Sequence, residues 1–316
     1  MTIYYMCPDF TRASAGTRTL YLHVKYLNNS GIDACIVHLE DGFTMNWHGI
    51  DVPVKYLSKI FIEAEDILVF PETSLKLLAS AKPLVCTKVM IVLNWAHFIE
   101  KLPNGSSWRS YGIEYALSPS HYICDFVKWT MNIPCTYFDC AIDKDLYYYE
   151  AHNKDTRVIS HMTRKQTSGL MVERLLNLHG DQYQGLDWRA MHDLPEETYA
   201  DNLRVSGTYL ATGNMEGLNI SVIEAMACGC LVIGYTGGGG KDYMTGDGDG
   251  KNCLIVDTDD YYMMVRTLEQ VLENWAADPT YYDNVIKNGL KTAENFLDVN
   301  AEKKSVRDFF QKLLQK

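Results

Sequence analysis

The sequence has no apolar run long enough to cross a membrane. The longest candidate, 84–99, is interrupted by Lys88, Asn94 and His97, so it predicts a buried strand followed by a loop. The first residues lack the basic segment and the apolar run of a signal peptide, and we therefore expect the chain in the cytoplasm. None of the nine cysteines forms a Cys-x-x-Cys pair, which favours buried thiols in a reducing compartment over disulfides or zinc ligands.

Basic residues are also scarce. The chain has 29 Lys and Arg against 40 Asp and Glu, and the net charge of −11 argues against broad contact with nucleic acid or an anionic membrane, while leaving room for a local basic groove. No Gly-x-x-x-x-Gly-Lys-Ser/Thr segment occurs, and no Gly-x-Gly-x-x-Gly follows the first predicted strand. P-loop and classical dinucleotide sites are therefore excluded.

Two acidic segments resemble metal loops, but neither predicts a metal site. Residues 257–259, Asp-Thr-Asp, follow a predicted strand and open a helix, so helix capping explains them. The segment from Asp247 begins like a calcium loop, yet Asn252 stands at its sixth position, where that loop needs glycine, and Thr258 at its twelfth, where it needs glutamate. We expect no metal ion in this protein.

The chain consists of short apolar runs that alternate with helical patterns. Apolar residues make up 47% and charged residues 22% of the 316, an ordinary globular composition, and the length suggests two domains. The alternation is typical of parallel sheets with crossover helices, so we predict an α/β fold of doubly wound units. The predicted strands are 3–6, 33–39, 67–71, 84–93, 115–118, 157–160, 207–211, 231–235 and 253–256, and the main predicted helices are 19–28, 168–178, 219–228, 260–275, 280–296 and 300–314.

The domain boundary is predicted from a polar segment, 152–156, which follows an aromatic run and precedes a new strand. We assign an N-terminal domain to 1–152, a C-terminal domain to 153–296 and a final helical segment to 297–316. In the N-terminal domain, a polar loop containing Gly16 joins the first predicted strand to the first predicted helix.

The most informative stretch, 212–229, carries two carboxylates eight positions apart. Glu216 lies in a glycine-bearing loop, and Glu224 lies two turns into the helix predicted after it. A helical rise would separate them by about 12 Å along the axis, close to the span from the sugar to the ribose of a nucleotide-sugar. The spacing therefore fits that ligand.

The start of this helix offers an anion site between the two carboxylates. Its free N–H groups and positive dipole end suit a diphosphate, and the residues concerned are Leu218, Asn219 and Ile220. Glu224 stands among apolar neighbours, so its carboxylate needs hydrogen-bond donors, which ribose hydroxyls would supply. The alternative is a solvated helix face at Glu224 and a simple helix cap at Glu216.

Two adjacent cations, Arg164 and Lys165, follow a strand of the second half. Ligands of open parallel sheets bind outside the carboxyl ends of the strands, and both this loop and the Glu216 loop leave such ends. The two cations could neutralise a diphosphate leaving group as the glycosidic bond breaks. An Arg-Lys pair on its own is commonly a solvated loop, so the prediction of a site depends on its combination with Glu216.

The segment 216–229, Glu-Gly-Leu-Asn-Ile-Ser-Val-Ile-Glu-Ala-Met-Ala-Cys-Gly, resembles the E-x7-E segment of the retaining family 4, or group 1, glycosyltransferases. The similarity is strongest over 201–256 and weaker over the rest of the chain. It implies the GT-B fold, in which two Rossmann-like doubly wound domains face each other across a cleft. The N-terminal domain would then bind the acceptor, the C-terminal domain the nucleotide-sugar donor, and the final helix would pack back toward the N-terminal domain.

The resemblance also implies roles for individual residues. Glu224 would bind the ribose hydroxyls, and Glu216 the hydroxyls of the donor sugar. Arg164 and Lys165 would bind the diphosphate, although the family separates its Arg and Lys by several residues. His97 falls near a histidine that contacts the donor sugar or the acceptor. Glycines would allow close approach to the donor, and they are Gly16, Gly217, Gly237 and Gly238.

The sequence therefore predicts a metal-independent, retaining glycosyltransferase that moves a hexosyl or pentosyl group from a nucleotide-diphosphate sugar to an acceptor hydroxyl. The acceptor stays open between a glycan, a small molecule and a modified nucleobase in DNA, as in some phage enzymes. A sugar-nucleotide epimerase and a non-catalytic nucleotide-sugar-binding module are the alternatives on the same fold. The segment 178–194 is short, which predicts a reduced strand and helix there, and a homo-oligomer is compatible with the sequence.

Overall fold

The computed structural model describes residues 1–162 and 168–315, which form two compact units. The first unit contains 1–140 together with the chain from Val299 onward, and the second contains 141–298. Each unit has its own parallel sheet, so the chain has an α/β fold with two parallel-sheet domains. Within the part of the chain that the structure describes, no helix is both long and apolar enough to span a membrane.

The first unit is built on seven parallel strands, β1 (Ile3–Met6), β2 (Ala34–His38), β3 (Val54–Tyr56), β4 (Ile67–Pro71), β5 (Thr87–Ile91), β6 (Ile113–Ser118) and β7 (Cys135–Tyr137). Their order is β3-β2-β1-β4-β5-β6-β7, a doubly wound arrangement. Helices connect them, and these are α1 (Ala15–Asn29), α2 (Leu75–Ser80), α3 (Trp95–Lys101) and α4 (His121–Met131). The order reverses between β1 and β4, so the loops after these strands flank the usual ligand crevice of such a sheet.

The second unit has five parallel strands, β8 (Asp155–His161), β9 (Asp187–Ala190), β10 (Ser206–Ala211), β11 (Leu231–Gly234) and β12 (Leu254–Ile255), in the order β12-β11-β10-β8-β9. Its helices are α5 (Ser168–His179), α6 (Glu196–Val205), α7 (Ile220–Ala227), α8 (Tyr261–Ala277) and α9 (Asp283–Glu294). The strand order reverses between β8 and β10. The loops that leave the carboxyl ends of these two strands are therefore the place to look for a ligand.

The C-terminal helix α10 (Val299–Leu314) completes the core of the first unit. Phe310 is fully buried and its ring lies 6.0 Å from that of Tyr5. The hydroxyl of Tyr26 on α1 donates to Oε2 of the buried Glu302 at 3.3 Å. The apolar positions of α10 recur at helical spacing, which is why this segment folds as a helix and packs along one face.

All nine strands predicted from the sequence are present to within a few residues, and the described residues form three more. The additional strands are β3, β7 and β9, and each lies at the edge of its sheet. Each has only three or four residues and lacks an apolar run, so it gives no periodic signal. β9 lies inside 178–194, where the sequence predicts a reduced strand, and it is four residues long.

Gly16 lies in a helix, so its prediction as a loop residue is wrong. α1 begins at Ala15 because the side chain of Ser14 caps it by accepting the N–H of Thr17. The hydroxyl of Thr17 donates back to the carbonyl of Ser14 at 3.0 Å. Gly16 therefore belongs to the first turn of α1, the helix that follows the carboxyl end of β1.

The division between the two units falls after residue 140, ahead of the boundary that the sequence predicts after residue 152. The aromatic run 147–149 packs within the second unit. The ring of Tyr147 meets that of Tyr199 at 6.3 Å, and a Cβ at Gly229 would lie 2.3 Å from Cδ2 of Tyr149. The chain thus joins the second unit before it reaches the polar segment used for the prediction.

Candidate functional site

The candidate site lies at the carboxyl ends of β8 and β10, where the strand order of the second sheet reverses. The loop after β10 carries Glu216 and leads into α7. The two strand ends are linked, because the hydroxyl of Thr212 donates to the carbonyl of Met162 at 3.4 Å. The position of the Glu216 loop is therefore set by the sheet.

The backbone of Glu216 is fixed from both sides by the glycine run 237–240, which follows β11. Its N–H donates to the carbonyl of Gly237 at 2.7 Å, and its carbonyl accepts the N–H of Gly239 at 3.2 Å. Glu216 and Gly238 thus form a short parallel bridge outside the main sheet. The half-buried side chain of Glu216 is therefore attached to a main chain that hydrogen bonds hold in place.

Close packing between two loops explains why this run consists of glycine. A Cβ at Gly239 would lie 1.6 Å from the carbonyl oxygen of Gly217, and one at Gly237 would lie 2.9 Å from that of Gly213. Gly237 also has a φ of +64°, which side chains rarely adopt. These glycines allow two loops to touch, and the N–H of Gly239 is used within the protein. The run is thus a packed junction, whereas the sequence alone suggests close approach to a donor or simple flexibility.

The start of α7 differs in detail from the sequence-based prediction. Asn219 is the N-cap and has a left-handed backbone, with a φ of +62°, so Leu218 and Asn219 precede the helix. The N–H of Val222 donates to the carbonyl of Asn219 at 3.0 Å. The N–H groups of the first helical turn therefore begin with Ile220, one of the three residues that the sequence assigns to the anion site.

A half-buried tyrosine, Tyr243, anchors this helix start. The hydroxyl of Tyr243 lies 2.8 Å from the carbonyl of Asn219 and 3.1 Å from that of Leu218, so it donates to this pair of oxygens. Burial raises the pKa of Tyr243 well above its ordinary value, which keeps the phenol protonated as a donor. The sequence does not single out Tyr243, because 24 positions separate it from Asn219 and no spacing rule links them.

Glu224 is the fifth residue of α7 and is half-buried. It lies one turn into the helix, so the prediction of two turns is wrong. The separation of about 12 Å assumed a helical rise from Glu216 onward, whereas the residues between Glu216 and Ile220 are not helical. Burial raises the pKa of both Tyr209 and Tyr199, and the negative charge of Glu224 raises it further. The carboxylate of Glu224 therefore lies near two buried phenols.

A buried histidine lies at the carboxyl end of β8 and was not identified from the sequence. His161 is 2% exposed, and burial lowers its pKa, which favours the neutral imidazole. A Cβ at Gly169, in the first turn of α5, would lie 1.9 Å from its Nδ1. The glycine therefore makes room for the imidazole below the helix start. Only the fold reveals this pairing.

The remaining predicted site residues are Arg164, Lys165, Gly16 and His97. Arg164 and Lys165 fall outside the described residues. Gly16 and His97 belong to the first unit, at the carboxyl ends of β1 and β5, where His97 is the third residue of α3 and half-buried. A Cβ at Gly16 would meet its nearest neighbour, Cδ1 of Leu93, at 3.5 Å, which is ordinary contact. Packing within the unit therefore does not require glycine at this position.

Among the described residues, no group of three or more His, Cys, Asp or Glu side chains is placed to hold a metal ion. Of the two segments that resemble metal loops, 257–259 does not supply the cap of α8, so the prediction of helix capping by these residues is wrong. Asp260 caps α8 by accepting the N–H of Met263 at 2.9 Å, so the cap lies one residue beyond 257–259. The side chain of Asn252 accepts the N–H of Thr245 at 2.8 Å and thereby closes a turn.

Comparison with known protein families finds a match within the second unit. Residues 188–292 match the family model described as glycosyl transferases group 1. This stretch includes Glu216, Glu224 and the glycine run. No curated protein matches the sequence significantly.

Solved structures share the fold across the whole chain. Sucrose-phosphate synthase from Thermosynechococcus elongatus is 11% identical, with 99% of each chain covered and a TM-score of 0.73. A glycosyltransferase from Rickettsia africae is 13% identical, with 100% of this chain and 99% of that chain covered and a TM-score of 0.71. Anabaena HepE, solved in complex with UDP-glucose, is 11% identical, with 99% and 100% covered and a TM-score of 0.68.

Proposed function

We propose that this chain, a glycosyltransferase with a group 1 domain in a GT-B fold, transfers a sugar from a UDP-sugar to an acceptor hydroxyl. The proposed transfer retains the anomeric configuration and needs no metal ion. UDP is the proposed nucleotide because HepE is solved with UDP and with UDP-glucose. The second unit would hold the donor, and the first would hold the acceptor.

The observation that carries this proposal is the fixed position of Glu216 beside the start of α7. Its backbone is bridged to the glycine run, and Glu224 follows on the same helix that the loop leads into. Glu216 would accept hydrogen bonds from the hydroxyls of the donor sugar, and Glu224 from those of the ribose. The N–H groups of the first helical turn, starting with Ile220, would face the diphosphate between them.

The chemistry proposed for this site is stabilisation of the leaving diphosphate. The bond between the anomeric carbon and the phosphate oxygen breaks, and the acceptor oxygen bonds to the same face of the sugar. The departing phosphate oxygen takes the acceptor proton, so no separate general base is required. Arg164 and Lys165 would balance the developing charge, as preorganised cations do in other transferases.

Residues of the first unit would complete the reaction. Gly16 would let the start of α1 approach the donor, and this role agrees with a Cβ position whose nearest neighbour, Cδ1 of Leu93, lies at an ordinary contact distance of 3.5 Å. His97 would contact the donor sugar or the acceptor. We place the reaction in the cytoplasm, which agrees with nine free cysteines, eight of them buried. The proposed reaction is compatible with a homo-oligomer.

The deciding experiment follows slow hydrolysis of UDP-α-glucose by ¹H NMR in the presence of EDTA. Retention predicts that α-glucose is released first and that mutarotation then produces the β anomer. Glu224→Gln should weaken UDP-glucose binding by about tenfold or more, because hydrogen bonds to a charged group are lost. Glu294→Gln, which changes an exposed glutamate of α9, should leave binding unchanged.

Other outcomes of the same assay would refute parts of the proposal. Initial release of β-glucose would exclude retention, and activity only with added divalent metal would exclude metal independence. A change of the sugar's configuration without release of UDP would favour an epimerase. Tight UDP-glucose binding with no turnover in the presence of any acceptor would favour a binding module. Salt-dependent binding of duplex DNA would favour a modified nucleobase as the acceptor.

A further inference from the structure

We propose that Glu72 is a positioning residue of the first unit, which holds the turn before α3 and thereby orients His97. The importance of this turn for the reaction rests on the proposed function, in which His97 contacts the donor sugar or the acceptor. The placement of the turn by Glu72 does not depend on that function, because it follows from contacts within the unit.

Glu72 directly follows β4 and is a buried acid, with 5% of its surface exposed. The strand order reverses between β1 and β4, so this carboxylate lies at the crevice in which such sheets bind ligands. A carboxylate that is removed from water needs hydrogen-bond donors. Its Oε2 accepts the N–H of Leu93 at 3.2 Å, and Leu93 lies between β5 and α3. The side chain of Glu72 therefore bridges the connections that follow two neighbouring strands.

The end of β5 explains why Leu93 turns toward Glu72. β4 and β5 pair in parallel up to their last residues. The N–H of Val92 then donates to the carbonyl of Leu117 on β6 at 2.8 Å. Successive N–H groups of an extended chain point to opposite sides, so the N–H of Leu93 points toward β4. Since β4 has ended there, the Glu72 side chain supplies the acceptor that the strand no longer provides.

Leu93 also connects this turn with the start of α1. Its Cδ1 lies 3.5 Å from the place that a Cβ would occupy at Gly16. The backbone of Leu93 is thus held by Glu72, while its side chain lies against the first turn of α1. The proposed function assigns a role toward the substrates to both Gly16 and His97. Leu93 contacts the position of the first and precedes the second by four residues, so Glu72 acts between them.

Asn94 carries this placement into α3. Its buried side chain accepts the N–H of Ala96 at 3.1 Å through Oδ1, as a helix N-cap does. α3 begins at Trp95, and the half-buried His97 is its third residue. Residues three positions apart share a helix face, so His97 follows Asn94 on the same side of α3. The bonds made by Glu72 and Asn94 therefore set the direction in which α3 starts and the position of His97.

The neighbouring connection contains a cap that acts only locally. Ser120 is fully buried after β6, and its hydroxyl oxygen accepts the N–H of Ile123 at 3.2 Å at the start of α4. This bond has the same length as the bond between Glu72 and Leu93, but it joins residues of a single connection. Loss of either bond leaves one backbone N–H without its acceptor. Only the loss at Glu72 should reach His97, so Ser120→Ala is the matched control.

The first experiment reads the position of His97 by NMR, without substrate. The full chain has nine histidines, and the ring Cε1–H signal missing from His97→Ala identifies His97. Glu72→Met removes the acceptor and keeps an unbranched side chain, so it should shift the His97 signal. Glu72→Gln retains an acceptor oxygen and should stay close to wild type. Ser120→Ala should leave the signal in place.

The second experiment measures UDP-glucose hydrolysis in the same variants. Glu72→Met should lower kcat by about tenfold or more, because His97 is displaced, with KM changed by less than about twofold. In a His97→Ala background, Glu72→Met should lower kcat by less than about twofold, since a positioning residue acts only through the group that it positions. Ser120→Ala should leave kcat unchanged in both backgrounds.

Three results would overturn the positioning role. The first is a His97 signal that stays fixed in Glu72→Met. The second is an equal shift in Glu72→Met and Ser120→Ala, because the effect would then be a general loosening of this edge of the sheet. The third is an equal loss of kcat with and without the His97 side chain. If Glu72→Met fails to fold in a urea titration, Asn94→Ala takes its place in both experiments with the same expected results.

Failure of the proposed function would look different. A wild-type protein that does not hydrolyse UDP-glucose counts against that function, and the NMR experiment still decides whether Glu72 places His97. Hydrolysis that falls in His97→Ala but not in Glu72→Met would refute the positioning role and leave the proposed function intact. A shifted His97 signal together with a kcat loss that disappears in His97→Ala would support both.

Discussion

Gly239 shows how a single missing side chain holds the candidate site together. The carbonyl of Gly217 occupies the space where a Cβ would stand, at 1.6 Å. Any other residue at this position must push the Glu216 loop away from the loop after β11. The conformation of the proposed sugar-binding carboxylate thus depends on a residue that makes no side-chain contact at all.

Gly239→Ala should therefore impair donor binding more than it impairs folding. We expect a loss of about 1–3 kcal/mol in the free energy of unfolding, as for overpacked sites, and at least tenfold weaker UDP-glucose binding. Urea unfolding and calorimetric titration measure the two effects. Gly250→Ala is the control, because its Cβ would meet nothing within 4 Å. Unchanged UDP-glucose affinity in Gly239→Ala would contradict the role given to this contact.

His23 makes the stability of the first unit dependent on pH. Burial lowers its pKa from 6.5 to about 3, so the folded state holds the neutral imidazole. Below pH 6.5 the unfolded chain takes up a proton that the folded chain does not. Its contribution to stability is therefore complete above pH 6.5 and is lost as the pH falls toward 3.

The expected size of this effect is about 2 kcal/mol between pH 7 and pH 5, from the difference between the two pKa values. His23→Gln should remove that part of the pH dependence. Free energies of unfolding in urea, measured at both pH values for wild type and variant, give the difference directly. His152→Gln changes an exposed histidine and should keep the wild-type dependence. Identical pH dependence in wild type and His23→Gln would show that His23 is not responsible.

At the scale of elements, α7 is a short helix whose start is fixed by a hydrogen-bond donor from another segment of the chain. Its first residues gain no side-chain cap from Asn219, and the hydroxyl of Tyr243 bonds the two carbonyls just before the helix. Tyr243→Phe should therefore cost about 1–2 kcal/mol of stability. It should also weaken UDP-glucose binding, because the helix N-terminus loses its fixed position.

The control for this change is Tyr262→Phe, which removes a hydroxyl from a residue that is 71% exposed. Urea unfolding and UDP-glucose titration compare the two variants with wild type. If Tyr243→Phe and Tyr262→Phe behave alike, the anchoring of α7 by the hydroxyl of Tyr243 is wrong.

The elements also show what the sequence could predict. Apolar runs identify the central strands, since these are buried on both faces, and the E-x7-E pattern identifies the loop and helix of the candidate site. Edge strands such as β3 and β9 are short and half-exposed, so their residues carry no such signal. The sequence therefore predicts the interior of each sheet better than its margins.

Details of the candidate site depend on long-range contacts that no local pattern reports. The left-handed Asn219 shortens α7, and this shifts Glu224 from the second turn to the first. A side chain at position 239 would clash with Gly217, and one at position 169 would clash with His161. The two residues of each pair meet only in the folded chain. The pattern in the sequence proposes Glu216 and Glu224 for the site, whereas the position of Glu224 within α7 required the structure.

At the scale of the whole molecule, the two units have separate cores, and α10 belongs to the first. Phe310→Ala should cost about 3–5 kcal/mol, the usual loss for a buried aromatic side chain. The loss should be confined to the first unit. Hydrogen exchange read by mass spectrometry should show lower protection in 1–140 and unchanged protection in 141–298.

Phe61→Ala is the matched control, since this phenylalanine is 94% exposed and its loss should change stability by less than about 0.5 kcal/mol. UDP-glucose binding should survive Phe310→Ala, because the proposed donor site lies in the second unit. Equal loss of protection in both units would instead mean that they unfold as one.

The chain leaves the first unit after residue 140 and returns to it at Val299, so the second unit is an insertion within the first. During synthesis, the first 140 residues leave the ribosome without the helix that covers their core. At typical elongation rates, the 158 residues of 141–298, which precede this helix, take roughly 8–32 s to be synthesised. The second unit has all its residues before α10 exists. The second unit, although it begins later in the sequence, should therefore complete its folding on the ribosome before the first unit does.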